Sequence, residues 1–225
     1  MPIYKAKNEN FFKKWSSEMA YILGFFVADG SLTINSRGSQ YIDFCITDKD
    51  LLLKIRKALD SNHKIGERRT NNKNHKTVYR LQIGSKRMFN DLLKKGVRVD
   101  KTGHEVLPKV PKKYFKDFIR GYFDGDGTVC IIKKIRKDRK NKLYISLMTS
   151  FTCLNKNFLV SIRKRLNPIM DGGGIYYFGN AWRLKFSTAD SGKLYKFMYN
   201  KKDRIFLKRK KDIFEKFINQ YADVA

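Results

Sequence analysis

The spacing of hydrophobic and polar positions changes repeatedly along the chain, and the order of the changes occurs twice. The apolar run in "AYILGFFVADGSL" (20–32) predicts a helix that ends at Asp29-Gly30. "SLTINSRGSQYIDFCIT" then alternates about a polar centre, "NSRGS", and reads as a hairpin. "DLLLKIRKAL" returns to helical spacing. A second hairpin is expected over "KIGERRTNNKNHKTVYRLQIG", turning at "NNKNH", and a helix over "KRMFNDLLKKG" closes the unit. The order is αββαββα.

The same order recurs downstream. "DFIRGYFDGDGTV" (117–129) aligns with the first helix, so Gly24 matches Gly121, Ala28 matches Gly125 and Asp29 matches Asp126. "SIRKRLNPIMDGGGIYY" (161–177) parallels "KIRKALDSNHKIGERR" (54–69), and "AWRLKFST" (181–188) parallels "VYRLQIGS" (78–85). Such self-similarity predicts two pseudo-symmetric α+β repeats with antiparallel sheets. The divisions are a tail over 1–15, a first repeat over 16–103, a proline-containing linker over 104–113 and a second repeat over 114–225. A final helix is expected over 203–221. A basic insert around "IIKKIRKDRKNKLY" (131–144) lengthens the second copy.

The motif helices have a particular spelling. Gly24 and Ala28 lie four apart, as do Gly121 and Gly125, so each pair shares a helix face. Each glycine costs about 1 kcal/mol of helix stability against alanine. Close packing of the two helices is the expected return. Gly30 and Gly127 occupy the place of a left-handed helix cap. Asp29 and Asp126 then stand at helix C-termini, where free carbonyls already present partial negative charge. Two such ends side by side need a cation, and carboxylate and carbonyl oxygens suit Mg²⁺.

Charge supplies a partner for that site. Lys and Arg total 49 against 21 Asp and Glu, a formal net charge of +28, in a chain that is 42% hydrophobic. This reads as a foldable protein facing a polyanion, with nucleic acid as the expected partner and an anionic membrane surface as the alternative. No membrane-spanning run and no secretory leader is evident, and an intracellular protein is expected. Cys45, Cys130 and Cys153 read as reduced core residues, and His63, His75 and His104 have no zinc-ligand spacing. One Asp-Gly after a helix is ordinarily a turn. An EF-hand fails because Thr128 and Ile135 stand where oxygen-rich ligands belong. "GGGIYYFGN" (172–180) superficially matches the GIY-YIG nuclease signature, but its triplets are run together, and a glycine turn into a strand is expected.

"ILGFFVADG" (22–30) and "IRGYFDGDG" (119–127) resemble the LAGLIDADG motif, and the chain from about residue 16 to 221 resembles a two-motif, single-chain LAGLIDADG homing endonuclease. The resemblance implies the two motif helices packed at an interface and β-sheets forming a DNA-binding saddle. It implies Asp29 and Asp126 as metal-binding catalytic residues. The carbonyls of Ala28 and Gly125 would be further ligands of Mg²⁺, which Mn²⁺ can replace. It places catalytic lysines at Lys101 and Lys210. A polar residue ending the second strand is represented by Thr47, Asp48 or Thr149. Asp124 fills the first acidic position of the second motif, and Val27 that of the first.

The implied activity is a metal-dependent double-strand break in a long, asymmetric DNA site, promoting mobility of a host intron or gene. The implied state is a monomer on double-stranded DNA, with its own intron RNA as a second possible partner. The alternatives are an RNA maturase and a non-cleaving regulator on the same scaffold. Strand alternation nominates the DNA-facing residues: Thr33, Asn35 and Arg37 beside inward Leu32 and Ile34; Arg80 and Gln82 beside inward Tyr79, Leu81 and Ile83; Arg183 and Lys185 beside inward Trp182, Leu184 and Phe186. Arg68, Arg69 and the insert 133–140 are expected at phosphates. Gln82 matches Lys185 and Asn35 matches Ile132, so the two copies would read different sequences.

Overall fold

The computed structural model describes residues 5–68, 76–136, 141–199 and 205–221. Its first repeat runs α1 (Ser17–Asp29), β1 (Gly30–Ile34), β2 (Gln40–Ile46), α2 (Lys49–Ala58), β3 (Ile65–Arg68), β4 (Val78–Gly84) and α3 (Lys86–Lys94). The second runs α4 (Phe115–Asp126), β5 (Gly127–Arg136), β6 (Lys142–Cys153), α5 (Lys156–Leu166), β7 (Gly174–Phe178), β8 (Ala181–Phe186) and α6 (Thr188–Met198), and α7 (Lys208–Tyr221) follows. The αββαββα order therefore occurs twice. The expected turn at 71–75, Arg69 and residues 137–140 of the basic insert lie outside the described residues.

The chain divides into two compact units, Met1–Gly125 and Asp126–Ala225. In the first, four antiparallel strands take the order β1-β2-β4-β3, and in the second β5-β6-β8-β7. Corresponding register positions match: Gly30 lies opposite Phe44 in one sheet and Gly127 opposite Phe151 in the other. β5 and β6 are 10 and 12 residues long, against 5 and 7 for β1 and β2, so the insert extends a hairpin.

Helix starts follow ordinary capping chemistry. The Ser16 hydroxyl accepts from Met19 N, the Asp48 carboxylate from Leu51 N and the Ser85 hydroxyl from Met88 N. Alternation sets the sheet faces. Leu32, Ile42, Phe44, Leu81 and Ile83 are at most 1% exposed and pack beneath α1, α2 and α3. Phe44 lies between Phe25 and Phe26 of α1, at ring distances of 6.4 and 5.1 Å. In the second unit, Leu147, Phe151, Leu184 and Phe186 form the inner face, with Phe158, Leu159 and Ile162 of α5. Three inward assignments change. Ile34 is 51% exposed because β1 ends there at the turn, Tyr79 is half-buried with Lys49 Nζ 5.2 Å from its ring, and Trp182 is half-buried beside Tyr177, with Lys156 Nζ 4.6 Å from its ring.

α1 and α4 pack within the first unit through their glycines. A Cβ on Gly24 would stand 2.9 Å from Tyr122 N and from the Phe118 carbonyl carbon, and closer still to the Phe118 oxygen. A Cβ on Gly121 would stand 2.9 Å from Phe25 N and 2.8 Å from the Tyr21 carbonyl carbon. The relation is reciprocal, as the small-residue face predicts. Around this contact lies a buried polar cluster that the sequence reading missed. The Tyr21 hydroxyl donates to Asp124 at 2.7 Å, and Arg120 donates to Asp117 at 3.0 Å with its guanidinium 5.3 Å from the Tyr21 ring.

Candidate functional site

α1 ends on Asp29, whose side chain is exposed, and the chain turns directly into β1. The left-handed cap expected at Gly30 does not form: its φ is −84° and ψ 164°, because the strand begins at once. Gly127 likewise opens β5 and is not among the positive-φ glycines. Space is what glycine supplies at position 30. A Cβ there would overlap the Phe26 ring, with the ring's Cε2 2.7 Å away.

Helix C-termini leave carbonyls without an intrahelical partner. Gly30 N reaches the Phe26 carbonyl. Lys101, far along the chain, covers the next two and shares the first. Its Nζ donates to the carbonyls of Phe26, Val27 and Ala28 at 3.0, 2.6 and 2.5 Å. A cation at this helix end opposes the negative pole of the dipole. It also brings the ammonium of Lys101, the lysine that the resemblance implies as catalytic, to within one residue of Asp29. On the other side of Asp29 lies α4: a Cβ on Gly125 would be 3.2 Å from Asp29 Oδ2.

Asp126 ends α4 and is half-buried. Lys210 lies inside the first turn of α7, within the span expected for the final helix, and is 4% exposed. α7 packs on β5, the strand that Asp126 leads into, and on β6. The other polar candidates serve the fold. Asp48 caps α2, and Thr149 Oγ1 is hydrogen-bonded to Ser191 Oγ at 2.9 Å in the core. Thr47 is exposed at the end of β2.

The donor set suits a hard divalent cation. Asp29 offers carboxylate oxygens. The Ala28 carbonyl already accepts from Lys101 and retains a second lone pair. Among the described residues, no three His, Cys, Asp or Glu side chains form a metal-binding group. One or two carboxylates completed by water and phosphate oxygens is how Mg²⁺ is commonly held, so the end of α1, with the Asp29 carboxylate and the Ala28 carbonyl, suits such an ion.

The outer faces of the two sheets differ. Arg80 and Gln82 of β4 do turn outward, opposite buried Leu81 and Ile83. Both lean on Asp43 of β2, which is 2% exposed. Arg80 Nε donates to Asp43 Oδ1 and Oδ2 at 2.9 Å each, Arg80 Nη2 donates to Oδ2, and Gln82 Nε2 donates to Oδ2 at 3.0 Å. Its hydrogen bonds to the Asp43 carboxylate hold the Arg80 pKa above its usual value. Thr33, Ile34, Asn35 and Tyr41 line an open pocket with Arg80 and Gln82 on this face. Asp43 was not nominated, although alternation with Ile42 and Phe44 places it on the outer face.

Asn35 is committed elsewhere. Its Oδ1 accepts from Arg37 N and Ser39 N at 3.0 and 2.8 Å, closing the β1–β2 turn. Arg37 and Arg68 are exposed. Cys45 is exposed, not core, because it shares the outer face with Asp43; burial, then the Asp43 carboxylate, raise its thiol pKa. Cys130 is half-buried and Cys153 buried.

In the second sheet Arg183 and Lys185 are half-buried on β8. The Arg183 guanidinium lies 4.9 Å from the Phe178 ring, and Lys185 Nζ lies 5.6 and 5.9 Å from the rings of Phe178 and Tyr176. These aromatics belong to β7, so "GGGIYYFGN" is a glycine turn, with Gly173 at φ +104°, entering a strand. Tyr176 and Phe178 are 56% and 62% exposed and were not nominated. No helix of the described residues is long and apolar enough to cross a membrane.

Residues 16–95 match the family model of the LAGLIDADG-like domain. The fold resembles the crystal structure of meganuclease I-SmaMI bound to uncleaveable DNA, with TM-score 0.61, 14% identity and 88% of each chain covered. It also resembles the I-LtrWI LAGLIDADG homing endonuclease bound to target DNA, with TM-score 0.60, 15% identity, and 95% of this chain and 92% of that one covered. An uncharacterized protein of Methanocaldococcus jannaschii is 29% identical over 119 residues, 51% of this chain but only 40% of that protein's length. The match to the LAGLIDADG-like domain thus covers residues 16–95, and the chain as a whole has the two-sheet α+β fold of the LAGLIDADG homing endonucleases.

Proposed function

We propose that this protein is a divalent-metal-dependent DNA endonuclease that makes a double-strand break in a long, asymmetric site. The observation that carries the reading is the end of α1. An exposed aspartate stands at the negative pole of a helix, and Lys101 spans the three preceding carbonyls. A carboxylate placed there opposes the helix dipole, so its use is in chemistry more than in stability.

Asp29 and Asp126 are the metal-holding residues, with Mg²⁺ the expected ion and Mn²⁺ a substitute. When bound, the ion activates water and stabilises the leaving oxygen of the scissile phosphate. Lys101 is held by main-chain acceptors, so its ammonium is fixed before substrate arrives. A fixed positive charge beside a reacting phosphate stabilises the charge that develops there without reorganising. Lys210, in the corresponding place of the second repeat, has the same role. The outer strand faces, with Thr33, Arg37, Arg68, Arg80 and Gln82 on one sheet and Arg183 and Lys185 on the other, contact the duplex. Because the two sets differ, one monomer reads a non-palindromic site.

The test is selection of cleaved sequences from a randomised duplex library with Mg²⁺, comparing wild type with Asp29→Asn and Asp126→Asn. The expected result is one long, non-palindromic site, cut only by wild type and bound by all three proteins. If wild type binds duplexes but never cuts any, the protein is a non-cleaving binder and the catalytic roles fall.

A further inference from the structure

A buried carboxylate behind basic residues invites an explanation in a chain of net charge +28 that faces a polyanion. Asp43 is 2% exposed, so it does not itself touch a partner. It lies opposite Gln82 in the β2–β4 register, and Cys45 lies opposite Arg80. Through this offset, one carboxylate collects the Nε and Nη2 of Arg80 and the Nε2 of Gln82.

The pairing decides what each side chain has left to offer. Arg80 spends its Nε–Nη2 edge on Asp43. The donors that remain are those of Nη1 and the second hydrogen of Nη2, at the tip of a side chain that is 51% exposed. A guanidinium presented by its tip makes two parallel hydrogen bonds to the O6 and N7 of guanine. Gln82 spends an amide hydrogen on Asp43, which fixes the orientation of its carboxamide. Its Oε1 is left to accept from an exocyclic amine of adenine or cytosine. Neither side chain then loses as much rotamer freedom on binding as a solvated one would.

The second sheet lacks this device. Its register position equivalent to Asp43 is Ser150, opposite Lys185, and carries no charge. Arg183 there is steadied by the Phe178 ring instead. Resting on the proposed function, we infer that Asp43 is a specificity-positioning residue: it holds Arg80 and Gln82 in one reading geometry and sharpens base discrimination at the pairs facing the first sheet.

The experiment measures equilibrium binding of wild type, Asp43→Asn, Arg80→Ala and Arg80→Lys. The duplexes are the selected site, each single base-pair variant of the half facing the first sheet, and an unrelated sequence of equal length. Asp43→Asn is expected to lose about tenfold or more of the discrimination at one or two adjacent pairs. Its affinity for the unrelated duplex should rise, because a negative charge has gone. Arg80→Ala should lose discrimination at the same pairs, and Asp43→Asn should add little to it. Arg80→Lys keeps the charge but not the planar fork, and reports the same loss even if Asp43→Asn folds poorly.

Unchanged discrimination in Asp43→Asn, or an equal drop in affinity for every duplex, overturns the inference and leaves Asp43 a structural residue. If wild type itself shows no preference among duplexes, the DNA-reading function fails, and the inference with it.

Discussion

Gly24→Ala tests the helix contact on which the first unit depends. In an ordinary helix interior this substitution gains about 1 kcal/mol. Here the new Cβ meets backbone on two sides, at 2.9 Å from Tyr122 N and from the carbonyl carbon of Phe118. A flexible side chain would swing aside, but a helix backbone moves only as a rod. The helices must part, and a gap of about 0.5–1 Å forfeits a quarter to a half of each dispersion well along the contact. Overpacking of this kind costs about 1–3 kcal/mol, and rigid obstacles put this site near the upper end. The net loss is about 2 kcal/mol, or roughly 4–8 °C in Tm for a chain of this size. Gly192→Ala is the matched control. Gly192 lies inside α6, has no positive φ, and a Cβ there meets nothing within 4 Å. It should gain about 1 kcal/mol, roughly 2–4 °C. Thermal melts of both variants, with Gly121→Ala and the double mutant, decide the matter. Gly24→Ala and Gly121→Ala should be less than additive, since one separation relieves both. A Gly24→Ala protein that melts at or above wild type, while Gly192→Ala shows its gain, refutes the reasoning.

Three further outcomes follow from the same geometry. Lys101→Met removes three hydrogen bonds to the end of α1; cleavage should fall by at least about a hundredfold while duplex binding persists, if the ammonium acts at the phosphate. Circular dichroism melts should show a loss of only about 1–3 kcal/mol. Tyr195, whose hydroxyl donates to Glu215 at 3.1 Å, has its pKa pushed up to about 12 by burial and then by the Glu215 charge. The folded state therefore keeps a proton that the unfolded chain releases near its ordinary pKa of about 10. Stability from this group is complete below that value and is lost as pH rises through about 12; absorbance titration at high pH should show a late tyrosine that moves earlier in Glu215→Gln. Cys45 should be the first thiol alkylated in the native protein, slowly near pH 8, and faster at that pH in Asp43→Asn, where a carboxylate that raises its pKa is gone.

Much of this molecule was legible from local pattern. Periods of 3.6 and 2 report which side of an element meets a core, and that depends on near neighbours alone. Hence the αββαββα order, the outward turn of Arg80 and Gln82, and the glycine face of α1 and α4 followed from sequence. The family resemblance also singled out Lys101, which no local pattern distinguishes from its many lysine neighbours.

The sequence by itself determined the repeat, the helix faces, the strand phases and the acidic ends of the motif helices. Only the tertiary structure decided which polar groups satisfy one another. Asp43 meets Arg80 across 37 residues and Lys101 meets Ala28 across 73, through a strand register and a chain path that neither segment encodes alone. It also decided that Gly30 supplies room for the Phe26 ring instead of a left-handed turn, and that Asn35 serves its own hairpin. The physical reason is range. Hydrophobic periodicity acts over a few residues, whereas hydrogen-bond partnership and steric clearance depend on which distant backbone arrives alongside.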